Sequence, residues 1–65
     1  MRLRVRAFRL REAARQAILA GRPGVARALA AEAQRIERTP AGRRLEQLGA
    51  WLEAVTAGAP PAKSG

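Results

Sequence analysis

The sequence predicts an all-α protein: an antiparallel helical hairpin with a third packing helix. Three observations carry this reading. Apolar residues recur at steps of three and four, alanine stands wherever the first two helices would touch, and Gly21-Arg22-Pro23 forms a compact break between them. In the first helix, Leu3, Ala7, Leu10, Ala14, Ala17 and Ile18 share one face, which predicts a helix over about residues 3–20. A competing signal lies at its start, where RLRVR at 2–6 alternates strictly, as a short strand would. Helix is the preferred reading, because the chain has no second strand-like segment and a lone strand leaves its backbone groups unsatisfied.

The break itself is legible. Gly21 can adopt the left-handed conformation just past a helix end, and Pro23 suits the first turn of the next helix. A second helix is therefore predicted over 23–37, with Val25, Leu29 and Ile36 on one stripe and Ala26, Ala30 and Ala33 beside it. Thr39-Pro40 has the chemistry of an N-cap followed by a first-turn proline and opens a third helix over 40–56. Leu45, Leu48, Trp51, Leu52 and Val55 supply its apolar face. Gly58, Pro60 and Pro61 stop it, so residues 1–57 form one domain and 58–65 are expected to be a disordered tail.

A chain of 65 residues builds only a small core, and burial then scarcely exceeds the entropy of ordering the chain. Proteins of this size are commonly reinforced by disulfides, a metal or a partner. The chain has neither Cys nor His, which removes the disulfide and any conventional metal site and implies no cofactor. Another protein or self-association is the expected source of support. No apolar run has the length of a signal peptide or a membrane span, and the cytoplasm is the default location.

Charge narrows the partners. Thirteen basic residues against five acidic ones give +8, and twelve of the thirteen are Arg. Residues 1–21 hold six arginines and one glutamate, so the excess is concentrated at the N-terminus. Arg2, Arg4, Arg6 and Arg9 could track phosphates, which makes nucleic acid or a ribosomal surface the alternative partner. Specific base reading is not indicated: Asn is absent and Phe8 and Trp51 are the only aromatic residues. A membrane surface ranks lower, because the first helix's apolar stripe consists largely of alanines.

Catalysis is not expected. Without His, Cys, Asp or Tyr, the chain offers five glutamates at mostly polar helix positions. Glu12 with Arg15 and Glu32 with Arg35 are spaced for ordinary helix-surface ion pairs. The GRPG segment at 21–24 has a basic residue and a helix start but neither a preceding strand nor nucleotide-loop spacing, so it reads as a helix–helix turn.

Leu10, Ala14, Gly21, Ala26 and Ala33 stand at separations that resemble a tetratricopeptide repeat, the helix-turn-helix unit of many binding scaffolds. Ala17 and Ala30 depart from that pattern, as does Arg38 where the family has proline. The resemblance implies a concave surface lined by Phe8, Arg11, Arg15, Ile18 and Leu19, with Arg11 placed to meet a partner's carboxylate. Together these readings describe a non-catalytic interaction or assembly subunit that binds an acidic or helical segment. Trp51 is expected first as core and second as a binding hot spot, and Ile18 is equally suited to fill the hairpin seam.

Overall fold

The computed structural model describes residues 2–58 and contains three helices: α1 (Leu3–Leu19), α2 (Pro23–Ile36) and α3 (Pro40–Thr56). The RLRVR segment is helical from Leu3 onward, with Arg2 the extended residue that precedes it. Residues 59–65, most of the expected tail, lie outside the described residues.

Each boundary has a local cause. At the end of α1, Gly21 takes a φ of +76°, the Gly21 amide donates to the Ile18 carbonyl and the Arg22 amide donates back to the Ala17 carbonyl at 2.8 Å. That pair of bonds closes the helix in a Schellman turn and releases the chain directly into Pro23, the first residue of α2. Between α2 and α3, the Thr39 hydroxyl accepts from the Gly42 amide at 2.9 Å, and the Gln34 side-chain oxygen accepts from the Thr39 amide at 3.0 Å. Two amides are thereby satisfied at one three-residue connection. Gly58, with a φ of +82°, ends α3.

Helix α2 is central. It packs closely against α1 on one side and α3 on the other, while α1 and α3 barely meet. The two seams are built from the smallest side chains. Ala14 and Ala17 of α1 cluster with Ala26 and Ala30 of α2, and Ala7, Ala33, Gly42 and Gly49 complete the buried set. Helix separation depends on the side chains at the contact, so alanine and glycine seams draw the axes together. At Gly49 the approach is backbone on backbone: a Cβ there would lie 2.9 Å from the Arg27 nitrogen and 3.0 Å from the Pro23 oxygen.

The alanines form the inner face of α2, as the sequence predicts, and Val25 of the neighbouring stripe is exposed. In α3 the innermost residues are glycines, while Leu48, Trp51 and Val55 lie on the outside. Trp51, expected first as core, is half exposed. Once small residues set the spacing, large side chains have no room between the helices and are displaced to the flanks. Ile18, Leu29 and Leu45 pack at the margins of the alanine cluster, so Ile18 does contribute to the hairpin seam.

Candidate protein-docking surface

Among the described residues, no large side chain is fully buried. By contrast, Leu3, Val5, Phe8, Leu19, Val25, Leu48, Trp51 and Val55 are all exposed. Scattered apolar residues on a surface are ordinary, whereas contiguous ones form a candidate docking surface. On α3 the row is ordered: Arg44, Leu48, Trp51 and Val55 follow one another at steps of four, three and four, which places them along one side of the helix. From Leu45 to Gly58 no basic residue interrupts it.

The residues expected on α1 divide. Phe8 and Leu19 are exposed, Leu19 to 80%. Arg15 lines a shallow depression of about 190 Å³ with Ala41, Arg44, Leu45 and Leu48, which links the flank of α1 to that of α3. Arg15 also pairs with Glu12, and Arg35 pairs with Glu32 at 3.4 Å, as the helical spacing predicts.

Arg11 is placed differently from its expected role. Its two terminal guanidinium nitrogens lie 3.4 Å from Glu37 Oε1, and its side chain is only 13% exposed. Glu37 caps the C-terminal end of α2, where a cation is also favoured by the helix dipole. The guanidinium is thus engaged within the fold, holding α1 to the end of α2.

The candidate phosphate-binding set also divides. Arg4 reaches Glu37 Oε2 at 3.4 Å, whereas Arg2, Arg6 and Arg9 are exposed and have no ion pair among the described residues. Arg2 and Arg4 also line an open depression of about 440 Å³ with Val5, Phe8, Arg11 and Glu37.

Two features escaped the sequence reading. One is the ion pair between Arg27 Nε and Glu53 Oε1 at 2.7 Å, which joins α2 to α3. The hydrogen bond to Glu53, then its charge, raises the Arg27 pKa above the ordinary arginine value. Gly24 leaves space for that carboxylate, since a Cβ at this position would lie 2.7 Å from Glu53 Oε2. The other is an open depression of about 610 Å³ at the α2–α3 turn, lined by Gln34, Arg38, Thr39, Pro40, Arg43, Arg44 and Glu46. Its three arginines have no ion pair among the described residues.

The signal for the α3 surface was present in the sequence. Gly42 and Gly49 are seven residues apart and mark the close seam, which leaves the leucine and tryptophan row on a neighbouring side of the helix. No protein-family model, curated protein or solved structure matches the chain. No helix among the described residues is long and apolar enough to cross a membrane.

Proposed function

We propose that the chain is a non-catalytic interaction or assembly subunit that docks another protein on the outer side of α3, with Phe8, Arg15 and Leu19 of α1 at the margin. The observation that carries this reading is the inversion of apolar size. Alanine and glycine fill the seams, while Leu48, Trp51 and Val55 stand in an exposed row. Burying such a row on a partner adds apolar burial that the small core does not supply, and a half-exposed Trp is a common anchor of binding energy. The tetratricopeptide-like spacing of the hairpin agrees with a binding scaffold, and we place the protein in the cytoplasm.

The test is affinity capture of proteins by the wild-type chain and by a Leu48→Glu/Trp51→Glu variant, with helicity checked by circular dichroism. A defined protein bound by the wild type and lost by an equally helical variant supports the reading; equal capture by both overturns it.

A second reading rests on Arg2, Arg6 and Arg9, which are exposed on α1 without carboxylate partners. In that case the chain binds a phosphate backbone electrostatically. Its affinity then falls steeply with salt, and replacing these arginines by Ala reduces the slope.

A further inference from the structure

The α3 surface is divided lengthwise by chemistry. At its N-terminal end, Arg38, Arg43 and Arg44 gather around the depression at the α2–α3 turn and lack ion-pair partners among the described residues. At the other end lie Leu48, Trp51 and Val55, with only Glu46 and Glu53 carrying charge from Leu45 to Gly58. Arg44 belongs to both parts, because it lines the depression and heads the row that continues through Leu48, Trp51 and Val55.

We propose that the occupant of this surface is an amphipathic helix of a partner protein, with its apolar anchors on Leu48, Trp51 and Val55 and a cluster of carboxylates over Arg38, Arg43 and Arg44. The proposal rests on the docking function above and specifies the partner. A row at steps of four, three and four is the form in which one helix receives another. Arg44 and Trp51 are seven residues apart, or about 10 Å along the helix, so the partner's acidic residues lie about two turns from its central apolar anchor. Arginine forks pair readily with carboxylates, and these three form no ion pair among the described residues. Glu46, which also lines the depression, limits the site to carboxylates that approach from the arginine side.

Charge decides against a second copy of the chain. Each copy carries +8, and a two-fold pairing along α3 supplies no acidic cluster to meet the arginines.

The experiment selects binders to the purified protein from a displayed library of amphipathic helices whose polar positions vary freely among acidic, basic and neutral residues. Binding is confirmed by the emission of Trp51, the only tryptophan in the chain. Expected is enrichment of acidic residues about two turns from the apolar anchors, with a blue shift of Trp51 emission on binding. An Arg38→Glu/Arg43→Glu/Arg44→Glu variant then loses about tenfold or more in affinity for these binders, and binders remade with Lys at the acidic positions recover it. Binders that need Trp51 but show no acidic preference overturn the carboxylate assignment while leaving the docking function intact. A library yielding no binder sensitive to Leu48→Glu/Trp51→Glu overturns both. Sedimentation of the chain alone is expected to show a monomer; a dimer abolished by Trp51→Glu assigns the row to a second copy and overturns the proposal.

Discussion

Gly49 of α3 rests directly on the backbone of Arg27 in α2: a Cβ at position 49 would stand 2.9 Å from the Arg27 nitrogen and 3.0 Å from its Cα. Both neighbours are main-chain atoms of a helix, so they cannot turn aside as a side chain can. Gly49→Ala therefore has to separate α2 from α3. Its helix-propensity gain of about 0.5–1 kcal/mol is outweighed by an overpacking cost of about 1–3 kcal/mol. Urea unfolding followed by circular dichroism should show a lower midpoint than for the wild type, and an unchanged or higher midpoint contradicts the close seam.

Ala30→Leu tests the other kind of small residue. Ala30 is fully buried within the cluster formed with Ala14, Ala17 and Ala26. Three added carbons have no cavity to enter, and the expected loss is again about 1–3 kcal/mol. A variant as stable as the wild type would mean that the helices are not held this closely.

The α2–α3 connection depends on a hydroxyl and an amide oxygen. Thr39→Ala removes the acceptor for the Gly42 amide and should cost about 1 kcal/mol. Gln34→Ala removes the acceptor for the Thr39 amide and should cost a similar or smaller amount, since water can reach the site in its place. The double variant reports whether the two bonds act together, through any departure from additivity in thermal unfolding.

Arg11 and Glu37 offer a coupling measurement. Glu37→Gln leaves a mostly buried guanidinium without its carboxylate, with an expected loss of about 1–3 kcal/mol. Adding Arg11→Met keeps the apolar stem and removes the stranded charge, so the double variant should recover part of that loss. If it is no more stable than Glu37→Gln alone, Arg11 is not committed to the fold and returns to consideration as a binding residue.

Leu48→Glu and Trp51→Glu should each cost no more than about 1–2 kcal/mol, because about half of each residue is already in water. A loss of several kcal/mol in the isolated chain would place Trp51 in the core after all.

The helices were legible in the sequence because their ends are written in local chemistry. Gly21, Pro23, Thr39 and Pro40 each perform the turn or cap function that their residue types suggest. Inside and outside were less legible. Hydrophobic periodicity identifies an apolar side of a helix, but it does not rank alanine against leucine within that side. Leu48 and Trp51 were therefore placed on the apolar face of α3, and Trp51 was read first as core, although helix spacing at a glycine seam excludes them. Arg11 illustrates a second limit. The Glu37 that engages it is twenty-six residues away, a distance that helix-surface pairing rules do not cover.

An interior of alanine and glycine has no rotamers. Folding into it costs backbone freedom, while the buried side chains have essentially no torsional entropy to lose. The torsional freedom of Leu48, Trp51 and Val55 is left largely unspent on the exposed side of α3. In this molecule the ordering of large side chains is separated from folding and deferred to whatever event covers them. The entropic cost that most proteins meet while forming a core would then appear in the thermodynamics of docking.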